Sequence, residues 1–278
     1  MPDGQVGMPA MELVPRYKEE QVFIIEAFIV HSVRESGRDG VILGLSGGID
    51  SALVAKLCAD AIGPGRVLAL ALPDGKGGRD LKDARKFANA IGIEFRIVNI
   101  GPIASAMEKR LQASEADTVA RGNLRARARM TVLYYGANME NRVVMGTGNK
   151  SEILIGYETK FGDAAADFMP IGDLYKTQVR EMASHLGLPN EIVDKTPTAG
   201  LWPGQTDEGE LGITYDELDR VLLGIELQME PEAIAEKAGV PLDRVRYVET
   251  LVASSVHKRK MPLIPKLGVR TVGLDWRE

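Results

Sequence analysis

The segment Val41-Ile-Leu-Gly44-Leu45-Ser46-Gly47-Gly48-Ile49-Asp50-Ser51 constrains this chain more than any other. Val41–Leu45 is a short, unbroken apolar run, which reads as a strand buried on both faces. The glycines then let the backbone turn tightly, with its N–H groups aimed into one concavity beside the positive end of the following helix. That turn suits a phosphate or pyrophosphate, and the Ser46 and Ser51 hydroxyls add donors. Asp50 alone would repel an anion. It fits where Mg²⁺ sits between carboxylate and phosphates, because hard cations take oxygen ligands. The Gly-Lys-Ser/Thr ending of a Walker A loop is absent, and so is the three-glycine spacing of a dinucleotide fingerprint. An isolated Ser-Gly-Gly reads better as a plain strand–turn–helix with a Ser/Asp cap. The full octet, placed between a buried strand and a capped helix, tips the balance to a nucleotide.

The rest of the chain alternates strands and helices. An amphipathic helix is expected over 9–36, then strands at 41–45, 67–72, 94–98 and 142–145. Helices are expected from Ser51 to Ile62, from Arg79 to Ala90, and in two stretches before the fourth strand. This alternation predicts an α/β fold, a doubly wound parallel sheet with helices on both faces. Extra C-terminal helices are expected near 176–187, 215–226, 230–238 and 241–257, as packing additions to the same body. No Pro/Ser-rich linker separates them, so residues 1–278 read as one domain: a nucleotide-binding core over 40–190 and a helical part with tail over 190–278. Pro73–Arg79 and Gly200–Gly212 are polar, Gly-containing and read as two mobile lids. The tail after Pro262 reads as an irregular strap.

Composition removes several classes. The single cysteine, Cys58, lies mid-helix and excludes an intramolecular disulfide framework or a Cys-rich metal site. Three histidines, at 31, 185 and 257, are too scattered for a histidine metal centre. Lys and Arg total 34 against 39 Asp and Glu, a net charge of −5 that argues against bulk nucleic-acid binding. No segment approaches the ~20 apolar residues of a membrane span, and the N-terminus has no positive region of the signal-peptide kind. A cytoplasmic location is expected.

Further motifs follow the octet. In Arg121-Gly-Asn-Leu-Arg125-Ala-Arg127-Ala-Arg129-Met, residues 121, 125 and 129 share one helical stripe, which reads as a solvated basic face. Arg127 points about 200° from Arg125, beside Met130 and Tyr134, and is the better candidate to grip a ligand. Met145-Gly-Thr147-Gly-Asn-Lys-Ser-Glu152 follows the fourth strand. In a doubly wound sheet the C-terminal ends of neighbouring strands line one crevice, which would bring Thr147 and Glu152 near the octet. Taken alone, these two read as a cap and a surface residue. Gly156–Asp167, with Lys160, Asp163 and Asp167, reads alone as a surface loop. Lys176, Lys195-Thr-Pro-Thr198, Asp207-Glu-Gly-Glu and His257-Lys258-Arg complete the set.

The octet resembles the PP-loop of the ATP pyrophosphatases, which cleave ATP between its α and β phosphates. With the RGN-x-RAR-x-RM, GTGNKSE, TKFGD and HKR strings in this order, the chain resembles the ammonia-dependent NAD synthetases from the octet to about Lys260. The resemblance implies that Gly44 to Ser51, Thr147, Lys176 and Thr198 contact ATP and that Asp50 and Glu152 hold Mg²⁺. It implies deamido-NAD on Arg127, Lys160, Asp167, His257 and Lys258, and a homodimer with substrate across the subunit interface. Two departures stand out: Ile49 where many relatives have Gln, and Gly200 where they have Asp. A glutamine-using subgroup carries a separate amidase domain. About 40 residues precede the octet here, too few for one, so free ammonia or a partner's ammonia is expected.

The implied chemistry is a two-step ligation through an adenylate, releasing pyrophosphate and then AMP. Incoming ammonium must lose a proton; Asp163 and Asp167 both qualify to hold the cation, and Asp163 is expected to be catalytic together with Asp50 and Lys176. Rivals are another PP-loop ligase, such as a tRNA-thiolating or GMP-synthetase-like enzyme, or a non-catalytic nucleotide-binding relative. One mid-helix cysteine and the net negative charge argue against thiolation.

Overall fold

The computed structural model describes residues 13–198, 200, 204–272 and 275. Four parallel strands, β1 (Gly40–Gly44), β2 (Val67–Ala71), β3 (Glu94–Ile97) and β4 (Arg142–Val144), form a sheet in the order β3-β2-β1-β4. The register runs Val41 against Val67, Leu68 against Glu94, and Val41 against Val143. Every residue of β2 and the first four of β1 are buried, as unbroken apolar runs require of strands covered on both sides. β3 differs. It is an edge strand, largely exposed and charged, and Arg96 pairs with Glu94 and Glu140. Charge on an edge strand discourages pairing with another chain.

Helices α1 (Glu20–Glu35), α2 (Ile49–Ile62), α3 (Arg79–Ala90), α4 (Gly101–Leu111), α5 (Thr118–Met139) and α6 (Lys150–Ile155) accompany the sheet. Then come α7 (Lys176–His185), α8 (Asn190–Val193), α9 (Asp207–Leu211), α10 (Tyr215–Glu226), α11 (Pro231–Ala238) and α12 (Leu242–Ser254). Strand alternation divides the core. Val41, Leu43, Val67 and Ala69 pack under α1, α2, α3 and α7, whereas Ile42, Leu68, Leu70 and Val144 face α4 and α5. Leu43→Ala would cost about 2–5 kcal/mol at such a site. α5 approaches β1 so closely that a Cβ on Gly136 would lie 2.9 Å from Ile42 Cδ1. A third cluster joins α10, α11 and α12 to α6, with Leu13 inserted.

The N-terminal helix is shorter than expected. It starts at Glu20, residues 13–18 carry no regular secondary structure, and residues 9–12 lie outside the described ones. Pro15 breaks the expected run before that point, since it fixes φ and drives the preceding residue out of the helical region. Gly200–Gly212 is not wholly a loop either: Thr206 caps α9 by accepting from Gly209 N. No helix among the described residues is long and apolar enough to cross a membrane.

Candidate active site

In this strand order the connections leave β1 toward β2 on one side, and β4 returns on the other. The C-terminal ends of β1 and β4 therefore flank the topological switch point, where open α/β sheets form their crevice. The octet leaves β1 there and Thr147–Glu152 leaves β4, so the two motifs that sequence spacing separates are brought together.

The turn itself is tightly built. Gly47 has φ +84, and a Cβ there would sit 2.4 Å from the Asp80 carbonyl oxygen at the start of α3. Ser46 Oγ accepts from Gly48 N at 3.2 Å, and Ser51 Oγ donates to the Gly48 carbonyl at 3.0 Å. No side chain caps α2, so its first N–H groups keep the orphan donors that favour an anion. Ile49 is buried in the core; in its departure from Gln only its backbone faces the turn.

Asp50, on the first turn of α2, meets Lys176 of α7: Lys176 Nζ donates to Asp50 Oδ2 at 2.5 Å and to Glu152 Oε1 at 3.1 Å. Asn149 completes the set. Its Nδ2 donates to Asp50 Oδ1 at 2.9 Å, while its side chain caps α6 in a capping box with Glu152. Lys176 is 2% exposed. Burial works against its ammonium, but Asp50 and Glu152 outweigh it and raise its pKa. Burial likewise pushes Glu152 up to about 7 despite Lys176, with Asp50 adding to the rise. The Tyr215 ring lies 5.1 Å from Lys176 Nζ, and its hydroxyl donates to Asp207 Oδ2 at 3.1 Å and Glu152 Oε1 at 3.4 Å. Asp207 and Tyr215 went unremarked in the sequence as partners of this cluster. Their only signal was capping chemistry at two short helices.

Lys195 also emerges. Its Nζ donates to the Gly47 carbonyl at 2.9 Å and pairs with Asp80 at 2.5 Å and Asp83 at 3.4 Å, tying the phosphate turn to α3. Thr198 is engaged within its own loop: its hydroxyl donates to the Gln205 carbonyl at 2.7 Å and accepts from Gly200 N. Gly200 has φ +60, a left-handed conformation that glycine adopts without strain.

The arginine stripe is not solvated. Arg121 and Arg125 pair with Glu108 of α4 at 2.9 and 2.5 Å, and Arg125 also pairs with Asp74 at 2.5 Å. Arg129 is largely buried and donates to the Leu72 carbonyl at 3.0 Å, at the end of β2. Two helices lying side by side gave these charges partners that helical spacing does not reveal. Asp74 and Gly75 are thereby held, with Gly75 N donating to Asn99 Oδ1, so the start of the first expected lid is anchored.

A second group gathers beyond α5. Arg127 is exposed and donates to the Lys160 carbonyl at 3.2 Å, and Lys160 Nζ donates to the His257 carbonyl at 2.6 Å. Lys258 Nζ donates to the Gly156 and Glu158 carbonyls at 2.6 and 2.7 Å. Asp163 Oδ1 accepts from Thr159 N at 3.0 Å. Asp167 is fully engaged, accepting from Tyr134 Oη at 3.2 Å and Val144 N at 2.8 Å. The 156–167 segment is thus a braced wall, with Thr159 and Gly162 buried. Arg259 of the HKR string has a separate job: it donates to the Ile153, Leu154 and Val252 carbonyls, which closes the ends of α6 and α12.

The sheet order, the glycine turn at its switch point and the paired carboxylates around a buried lysine define an α/β nucleotide-binding enzyme of the ATP pyrophosphatase class. Residues 21–262 match the NAD synthase family. The chain is 49% identical to the NH(3)-dependent NAD(+) synthetase of Thermococcus sibiricus over 242 residues, which covers 87% of this chain and 94% of that one. It is 47% identical to that of Methanosarcina mazei, over 86% and 95% of the two chains. Among solved structures, NMN synthetase from Francisella tularensis superposes with a TM-score of 0.79 at 36% identity, covering 90% of this chain and 98% of that one. The NH3-dependent NAD synthetase from Campylobacter jejuni gives 0.77 at 33% identity, over 89% and 99%. The chain belongs to the NAD synthase family.

Proposed function

We propose that this chain amidates deamido-NAD with ammonia, using ATP and releasing NAD, AMP and pyrophosphate. The observation that carries this reading is the Asp50–Lys176–Glu152 cluster set against an uncapped phosphate turn, in a chain matched over 21–262 to the NAD synthases. The relatives at 47–49% identity are named NH(3)-dependent NAD(+) synthetases, which favours the dinucleotide acid as substrate. Ammonia is the nitrogen donor that the names of those relatives carry.

Two carboxylates against one ammonium leave the cluster negative, so a triphosphate is repelled until a cation joins. The donor set is all oxygen, which fits Mg²⁺, an ion that takes one or two carboxylates and completes its shell with phosphates and water. Asp50 and Glu152 would hold it, and it would supply the charge neutralisation that lets the carboxylate and triphosphate approach. Lys176 and the N–H groups of the turn neutralise phosphate charge, and Thr147 and Thr198 add contacts to ATP. Arg127, Lys160, Asp167, His257 and Lys258 line the wall for deamido-NAD. The nicotinate carboxylate oxygen of deamido-NAD attacks the α-phosphorus of ATP, and pyrophosphate leaves. Ammonia then attacks the acyl carbon, the added nitrogen gives up one proton to water, and the acyl–oxygen bond breaks so that AMP leaves with that oxygen. Asp163, exposed beside the wall, holds the ammonium cation and takes its proton.

The chain acts as a homodimer. Phe23, Ile24 and Val30 of α1 and Val119, Tyr135 and Met139 of α5 are exposed. Phe28 meets Phe168 edge-on with ring centroids 6.0 Å apart, and neighbouring Asp167 bonds Tyr134 of α5. Residues 167–168 thus link two apolar helix faces, the kind of surface that monomers rarely leave open.

The test supplies ATP, Mg²⁺, ammonium and either deamido-NAD or the mononucleotide acid. NAD and AMP should form in equal amounts, with the dinucleotide preferred; ADP in place of AMP would refute the reading.

A further inference from the structure

Asp219 of α10 is fully buried, and three donors meet its carboxylate. Ser151 Oγ donates to Oδ1 at 2.5 Å, and Thr177 donates to Oδ2 through both its N–H and its hydroxyl, each at 2.8 Å. Ser151 Oγ in turn accepts from Lys176 N at 2.9 Å. Ser151 directly precedes Glu152 on α6, and Thr177 directly follows Lys176 on α7. One carboxylate therefore grips the first turns of both helices that carry the charged pair. It also lies at the N-terminus of α7, where unpaired N–H groups and the helix dipole favour negative charge.

One turn earlier on α10, Tyr215 covers Lys176 and donates to Glu152. Residues four apart share a helix face, so α10 meets the pair twice: at its backbone through Asp219 and at its charged ends through Tyr215. A buried carboxylate is costly unless its oxygens are filled, and here both are filled by donors from the two helix starts. Its placement makes sense if it orders something. We propose that Asp219 is a positioning residue: through Ser151 and Thr177 it fixes the spacing of Glu152 and Lys176, and with it the geometry that receives ATP. This rests on the ligase reading above. The C-terminal helical layer then completes the nucleotide site as well as packing against it.

Asp219→Asn preserves volume but removes the charge, and its NH2 must face either Thr177, where it meets the backbone N–H donor, or Ser151, whose hydroxyl then has to give up its donor role; either way the charge-assisted anchor shared by the two helix starts is weakened. Steady-state assays on the full chain should show the KM for ATP raised about 10- to 100-fold, the range for residues that orient a direct ligand. The KM for deamido-NAD should stay within about twofold of wild type. Loss of folded protein lowers kcat and moves neither KM. An unchanged KM for ATP in a folded Asp219→Asn protein overturns the proposal. Should that variant fail to fold, Thr177→Val and Thr177→Ser decide. The valine should raise the KM for ATP and the serine, which keeps the donor, should restore it; equal values overturn the proposal. If wild-type protein makes no AMP, the ligase reading falls, and calorimetry with magnesium-ATP settles the anchor: about tenfold weaker binding to Asp219→Asn supports it and equal affinity contradicts it.

Discussion

Lys176 is a buried cation held by two carboxylates and covered by a tyrosine ring, and Asp50 is the one of the two that the phosphate turn itself carries. Asp50→Ala leaves Glu152 in place as a partner for the ammonium, so the stability loss should be about 1–3 kcal/mol. That is within the margin of an ordinary fold. Turnover is a different matter: AMP formation should fall by roughly 100-fold or more, as when a group that stabilises transition-state charge is removed. Circular dichroism and an AMP assay on the same preparation check both halves, and near-normal turnover would remove Asp50 from the site. Gly47→Ala probes the turn more sharply. Its φ of +84 and the 2.4 Å approach to the Asp80 carbonyl leave no room for a methyl group. Strain of about 1–3 kcal/mol is expected, with a rise in the KM for ATP and little change in the KM for deamido-NAD. The octet and Asp50 stood out in the sequence because glycine spacing and one misplaced carboxylate carry chemical meaning on their own, whereas Lys176 entered only through the family resemblance. Tyr215, Asn149 and Asp219 did not stand out. A tyrosine at a helix start, an asparagine cap and an aspartate in an apolar helix declare their roles only when folding brings their partners within 3.5 Å.

Elements were legible where local signals agreed. α3 and α10 have the bounds that their punctuation predicted, and the strands follow their apolar runs. The N-terminal helix does not run through Pro15, which interrupts the amphipathic pattern there, and α1 begins at Glu20. The arginine stripe of α5 shows the opposite limit. Helical periodicity placed 121, 125 and 129 on one face, but only the arrival of α4 supplies Glu108 and turns a basic face into an ion-paired seam. Arg121 and then Arg125 hold the Glu108 carboxyl at about 2, well below the ordinary 4.5. A depressed carboxyl pKa contributes stability that is present above the unfolded value and is lost as pH falls through the folded one. Denaturant melts should therefore lose stability between about pH 4.5 and pH 2. Glu108→Gln should be less stable at neutral pH and show a shallower acid loss over that window. An identical pH dependence in both proteins would mean that the seam contributes nothing.

At the scale of the whole molecule, parallel topology converts distant motifs into one crevice, because β4 returns beside β1 and not beyond β3. Strand–helix alternation made that legible. The role of the C-terminal helices was not, since their periodicity reports only an apolar face and says nothing of what the buried polar side chains reach. The exposed apolar faces of α1 and α5 predict a dimer, so light scattering should give about twice the 30.2 kDa chain mass. Tyr135→Glu together with Met139→Glu should shift it toward monomer; a wild-type monomer at micromolar concentration would count against the interface. The central claim, that ATP is cleaved at its α-phosphorus by the substrate's own carboxylate, has a direct isotopic test. Deamido-NAD labelled with ¹⁸O in the nicotinate carboxylate should yield AMP carrying one ¹⁸O and NAD retaining the other in its amide. Label found in inorganic phosphate, with unlabelled AMP or with ADP as product, would contradict it.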